Sequence, residues 1–186
     1  MVITLYADRH FPDIADIAGQ LARALASRDT ALSVALLASP GPIAVAPDES
    51  GRVAIVDVGG SSDVGAFLRE LAPRYAITVV ALGGAPNERV LAALDASHRV
   101  LLVSDPSVAS LRATQRTLKL CASLGYGSDK VAILLHGFAD DTALAPAEAA
   151  AALKREIFGV LPGPAADSAW RETSYLRLAE RLIAQP

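Results

Sequence analysis

Short, nearly continuous apolar runs alternate with segments whose apolar residues recur at helical spacing. The runs at 2–7 (VITLYA), 32–38 (LSVALLA), 53–58 (VAIVDV), 76–82 (AITVVAL), 99–104 (RVLLVS), 131–136 (VAILLH) and 157–161 (IFGVL) are predicted strands. Most are apolar at almost every position, as strands covered on both faces are, rather than alternating. Helices are predicted at 14–27, 62–72, 86–96, 107–124, 146–155 and 171–184. The punctuation agrees: Ser62 and Asp63 can cap one helix, Pro106-Ser107 opens another that Gly125 closes, and Pro146 suits a first turn. Alternation of strand and helix predicts an α/β fold of three layers, a mostly parallel central sheet with helices on both faces. The Pro- and Gly-rich stretches 39–51 and 162–168 are predicted surface loops. No internal repeat or low-complexity linker interrupts the pattern.

Composition sharpens this picture. A chain of 186 residues, 52% hydrophobic and 20% charged, is a globular folder of one domain's size. A formal net charge of −3 and the lack of any Lys/Arg run argue against nucleic acid as a partner. The single cysteine, Cys121, excludes an intrachain disulfide and lies at helical spacing with Leu111, Leu118 and Leu124, which predicts a core thiol rather than a nucleophile. No signal-peptide pattern and no uninterrupted apolar span is present, so a soluble, cytoplasmic chain without stable membrane insertion is expected.

In open parallel sheets, ligands bind beyond the carboxyl ends of the strands, so the loops there carry the functional reading. The first, Asp8-Arg9-His10-Phe11-Pro12-Asp13, joins a buried strand to a helix where a phosphate cradle would lie. A cradle needs glycines to curl its N–H groups around the anion and a lysine to neutralise it; this loop has neither, and it has carboxylates. Asp57-Val58-Gly59-Gly60 matches the short D-x-x-G pattern, which at a strand-to-helix junction reads as a glycine turn before a cap. Gly83-Gly84 reads as a tight turn. His10 and His136 share the loop-bearing edge, with Asp8 or Asp13 as further conceivable metal ligands, yet no zinc spacing is present and no metal is expected. His98 is expected at the surface, and Trp170 as a packed or half-exposed indole rather than a partner anchor. There is no G-x-S-x-G elbow and no G-x-G-x-x-G turn, which weighs against hydrolase and Rossmann readings.

The most specific stretch is 89–136. Its order is a helix running into Leu94–Val103, then Pro106 with Ser110-Leu111-Arg112, then Leu124-Gly125-Tyr126 before the next strand. This resembles the MinD/ParA group of deviant P-loop ATPases, and within it the CpaE/TadZ-like pilus-assembly branch, which carries L-x-x-S-D-x-V-L-L-V, P-x-x-x-S-L-R and L-G-Y in that order. The likeness extends through Phe158–Pro162 and back to the first strand and helix, so residues 1–186 are expected to form one degenerate MinD/ParA-like ATPase domain.

The family's first loop is K-G-G-x-G-K-T-T. With Leu21-Ala22 set against the family's Leu-Ala, the resemblance places Arg9 at the signature lysine, His10 and Phe11 at the two glycines, and Asp13 at the third. Ile14 falls at the phosphate lysine and Ala15 at the magnesium-binding hydroxyl. Ala38 falls at the aspartate that helps activate water, Ala81 at the aspartate that holds the metal through water, and His136 at the Asn that reads adenine. The resemblance therefore implies a pseudo-ATPase: vestigial nucleotide positions, no cofactor, no catalytic residue, and a P-loop NTPase fold kept as a scaffold or regulator. The implied partners are a true ATPase, a secretion or pilus component, or a second copy in a homodimer, with membrane contact only through them. The alternative is a remodelled pocket in which Arg9, His10 and His136 hold a nucleotide or another small anion. The last helix, 171–184, is amphipathic and is expected to dock on the sheet rather than on a membrane.

Overall fold

The computed structural model describes residues 1–28, 33–39, 51–56, 63–137 and 144–185. Its elements follow the apolar pattern: β1 (Val2–Ala7), α1 (Ile14–Arg28), β2 (Val34–Ser39), β3 (Val53–Ile55), α2 (Val64–Leu71), β4 (Ile77–Gly83), α3 (Glu88–Ala96), β5 (Arg99–Ser104), α4 (Val108–Ser123), β6 (Val131–His136), α5 (Pro146–Leu153), β7 (Ile157–Leu161) and α6 (Ser168–Ala184).

All seven strands form one parallel sheet in the order β3-β2-β4-β1-β5-β6-β7. β1 is central, with Leu5 beside Ala81 of β4 and Leu101 of β5. Each run is apolar throughout because each has two faces to bury. Ile3, Leu5, Val79, Ala81, Leu101 and Leu134 pack against α1 and α6. Val2, Tyr6, Val80, Leu82, Val100 and Leu102 face α2 and α3, and Ile133 and Leu135 face α4 and α5. The step from β1 toward β2 uses the α1 layer. The steps in the other direction, β4 to β5, β5 to β6 and β6 to β7, use the opposite layer, as a uniform crossover hand requires. Strand direction of travel thus reverses beside β1, and the loop after β1 sits where such sheets open a crevice.

The helix ends are set by the residues the sequence offers. Asp63 accepts from Ala66 N–H at 2.8 Å, Asn87 from Val90 N–H at 2.9 Å and Ser107 from Ser110 N–H at 3.1 Å, each satisfying a first-turn donor. Gly125, with φ of 79°, follows α4 in the left-handed region that favours glycine. Gly159 sits in close packing: a Cβ there would lie 3.0 Å from Leu134 Cδ1 and 3.4 Å from Leu178 Cδ1, so a larger residue would press on both leucines between β7 and α6.

Several boundaries differ from the sequence expectation: β3 ends at Ile55 and not 58, α3 begins at Glu88 and not 86, and α5 ends at Leu153 and not 155. β2 begins at Val34, and the predicted strand start at Leu32 lies outside the described residues, as do Ser62 and the 57–60 pattern. β4 continues two residues past Ala81, to Gly83. α6 begins at Ser168 rather than at 171, because Asp167 accepts from the N–H groups of Ala169 and Trp170. That aspartate reads as loop in sequence because the same side chain serves turns and caps. α6 then lies on the sheet beside α1, burying Tyr175, Leu178, Ala179 and Leu182, while Ile183 faces outward. Among the described residues no helix is long and apolar enough to cross a membrane.

Candidate functional site

β1 delivers the chain to the carboxyl edge at Ala7, and a six-residue loop turns it into α1. Carbonyls of this loop are bonded by the elements on either side of it. Ile14 N–H donates to Phe11 O at 3.2 Å, Ile17 N–H donates to Asp13 O at 2.9 Å, and Gly84 N–H, just past β4, reaches both Ala7 O and Arg9 O at 3.0 and 3.1 Å. Gly84 can supply that amide because it holds a φ of 108°, which side chains rarely adopt. Tyr6 fixes the same turn, its hydroxyl donating to Gly84 O at 2.8 Å.

The side chains then close the edge. Phe11 turns inward and is only 5% exposed. Its ring meets His136, at the end of β6, edge to face with centroids 5.8 Å apart and planes at 67°. Ile14, at the family's phosphate-lysine position, joins the same apolar cluster as Phe11, Ala7 and Ala81. Arg9 donates to Asp105, in the loop after β5, at 3.1 Å. Asp8 pairs with Arg116 of α4 at 3.5 Å. A cleft of about 270 Å³ beside this pair, bounded by Asp8, Pro86, Arg116, Thr117 and Leu120, falls below the volume of ordinary small-molecule sites.

The electrostatics oppose an anion here. His136 is buried, and desolvation holds its imidazole below the ordinary histidine range, although Asp13, Asp16 and Asp105 pull the other way. It is therefore neutral near pH 7. Asp13 and Asp16 flank the first turn of α1, the place where a phosphate would use the helix dipole. Tyr175 of α6 lies in the same field; its hydroxyl is pushed up by burial and by Asp16.

The predicted site residues thus divide. The structure brings Arg9, Phe11, Asp13, Ile14 and His136 to one edge, but as a packed and paired closure. His10 is exposed on the loop, without a partner among the described residues, and Ala15 is half-buried in the first turn of α1. Ala81 is fully buried two residues inside β4 and not at its tip. Ala38 is known only by its backbone register, opposite Ala81, next to the last residue of β2. Sequence reasoning missed Asp105, Arg116 and Tyr6 as partners of this loop. The available signal was Ser104-Asp105 at the tip of a strand flanking β1. Elsewhere, Cys121 is buried with its thiol pushed up chiefly by desolvation, as a core residue should be. His98 is exposed yet not idle: its Nδ1 accepts from Val2 N–H at 3.0 Å at the start of β1. Trp170 is half-exposed in the first turn of α6. No group of three or more His, Cys, Asp or Glu able to hold a metal occurs among the described residues.

The architecture is that of the MinD/ParA P-loop ATPases. The chain superposes over 100% of its length, and 96% of the other, on a structure of the MinC:MinD cell division protein complex from Aquifex aeolicus, with a TM-score of 0.80 at 14% identity. The ParA family ATPase from Chlorobium tepidum TLS gives 0.71 at 18% identity, covering 100% of this chain and 91% of that one. The septum site-determining protein MinD complexed with Mg-ADP, from Pyrococcus horikoshii OT3, gives 0.75 at 12%, over 97% and 95%. At these identities the likeness is one of fold. No family model and no curated protein matches the sequence.

Proposed function

We propose that this chain is a single-domain scaffold built on the MinD/ParA fold that neither binds nor hydrolyses ATP, and that it positions a protein partner. One observation carries the reading: the loop that should cradle phosphates is closed by Phe11 packed on a buried, neutral His136. An anion would have to displace that ring, break Arg9 from Asp105, and sit beside Asp13 and Asp16 with no lysine to offset them. Desolvating phosphate against carboxylates is strongly unfavourable. The same facts weigh against the alternative anion pocket of Arg9, His10 and His136, since the first is paired, the second exposed and the third uncharged.

A MinD relative of this fold is found with MinC, so the fold can serve protein contact. Here such contact would be constitutive, with no nucleotide to switch it. The 89–136 stretch favours a Tad/Flp-type pilus or secretion component as the partner, or a true ATPase of the same fold, or a second copy, in the cytoplasm or at the membrane through that partner. Calorimetry of the chain with ATP and Mg²⁺ at about 1 mM should give no magnesium-dependent binding heat, and phosphate release should equal the blank. Micromolar, magnesium-dependent affinity would refute the reading.

A further inference from the structure

The sheet's opposite edge holds a larger opening. Where β5, β6 and β7 begin, a cleft of about 650 Å³ lies between the turn before β6, the α5–β7 turn and the end of α6. It is lined by four cations, Arg99, Lys154, Arg155 and Arg181, against two carboxylates, Asp129 and Glu156.

Each cation is placed by a distinct device. Arg99 opens β5 and is 8% exposed. Its guanidinium donates to the backbone carbonyl of Asp129 and, at 3.2 Å, to the amide oxygen of Gln185, while its buried Nε has no partner. None of its bonds is to a carboxylate. Arg181 donates to Phe158 O at 2.6 Å and to Glu156, a side chain 86% exposed, at 3.3 Å. Both guanidinium carbons lie over the ring of Phe158, Arg99 at 5.0 Å and Arg181 at 4.4 Å. Two like charges therefore converge on one ring, and burial lowers the Arg99 pKa, with the Asp129 charge opposing and Arg181 adding to the fall. Lys154 ends α5 at a φ of 52°, the one non-glycine in the left-handed region among the described residues. A glycine would take that conformation without strain, yet the position holds a lysine. Neither Lys154 nor Arg155 forms an ion pair among the described residues.

Cations gathered in a concave, partly desolvated site raise the local concentration of anions, and four of them here stand against two carboxylates. We propose that this cleft binds a small polyanion, a compound bearing two or more phosphate or carboxylate groups, held between Arg99 and Arg181 on one element pair and Lys154 and Arg155 of the α5–β7 turn. Arginine supplies forked donors for such groups and lysine a point charge. With Phe158 already covered by guanidinium, recognition is by charge and not by stacking. The site is independent of the closed edge after β1.

The test is titration of the full chain with sodium pyrophosphate and, separately, with citrate at low ionic strength. Single-site binding by either is expected, weakening as salt rises, with a melting temperature about 3–5 °C higher at ten times Kd. Which of the two binds tells phosphate from carboxylate recognition. The double variant Lys154→Gly, Arg155→Gln keeps the fold, since glycine is relaxed at 154 and the Arg155 side chain makes no hydrogen bond or ion pair among the described residues; it should bind at least about ten-fold more weakly. Should ATP show affinity, loss in this variant assigns it to the cleft, and retention places it at the β1–α1 edge, which would sink the scaffold reading instead. If neither anion shifts the melt or gives heat at about 1 mM, or if the double variant binds unchanged, the proposal is overturned.

Discussion

Replacing Phe11 with alanine tests whether the phosphate loop is truly closed. The ring is 5% exposed and packs edge to face on His136, so the substitution removes a seated side chain rather than a surface one. Phe→Ala takes away about 120 Å² of buried apolar area, about 3 kcal/mol at roughly 25 cal/mol per Å². The lost aromatic pair adds about 0.5–1 kcal/mol, and partial collapse of the loop subtracts a similar amount. For a chain of this size about 3 kcal/mol lowers the melting temperature by about 6–12 °C. Urea unfolding at matched m-value is the assay, because an unchanged slope ties the midpoint shift to stability. A second readout follows from the same geometry. With the ring gone, water reaches His136, and its titration, followed by NMR, should move up toward the ordinary value near 6.5. A loss below about 1 kcal/mol together with an unmoved His136 titration would refute the closure.

Further outcomes follow from neighbouring residues. His136 is held below its unfolded pKa, so between the two values the unfolded chain binds more protons; stability contributed by the neutral imidazole is complete above about pH 6.5 and falls as the pH drops below it. The variant His136→Gln should flatten that part of the stability–pH curve relative to the parent. Ile14→Lys restores the family's lysine in sequence, but Ile14 is 8% exposed within the apolar cluster; it should cost about 2–4 kcal/mol in urea melts and confer no ATP binding by calorimetry. Cys121 is 1% exposed with a raised thiol pKa, so an aromatic disulfide reagent should label it only at the rate of unfolding, whereas fast labelling of the native chain would contradict its place in the core.

The strands were legible because a parallel sheet covered on both faces needs apolar residues at every position, and the runs at 2–7, 99–104 and 131–136 match the observed strands residue for residue. The helix ends at 63 and 107 were legible because their caps are local, one side chain bonding an N–H three residues on. The start of α6 was not, since Asp167 within a Pro- and Gly-rich stretch serves a turn and a cap equally well in sequence. At the site, sequence reasoning saw what the loop lacks and missed what fills it. Phe11 meets His136, Arg9 meets Asp105 and Asp8 meets Arg116 only because β1, β5, α4 and β6 converge at one edge. No spacing rule reports a pairing made by three-dimensional adjacency. The basic cleft escaped notice for the same reason, its cations coming from β5, the α5–β7 turn and α6, each looking like solvated surface alone.

The residues at the loop fit together in a way that accounts for how the fold would stand without a ligand, as the scaffold reading proposes. A phosphate cradle leaves backbone N–H groups aimed at the anion, and emptying it leaves them in want of partners. Here the loop's carbonyls are engaged from around it: Phe11 O accepts from Ile14 N–H and Asp13 O from Ile17 N–H at the start of α1, while Gly84 N–H ties the end of β4 to Arg9 O across the sheet edge. Ile14 and Phe11 add apolar contact where a lysine and a glycine would have stood in the family, and the neutral His136 completes the lid. In the proposed scaffold reading, these side chains together make core of what would be a ligand site in the family. In the proposed reading this edge gains nothing from nucleotide, so in the Lys154→Gly, Arg155→Gln background ATP should leave the melting temperature unmoved, while the same fold with an open cradle should be stabilised by it.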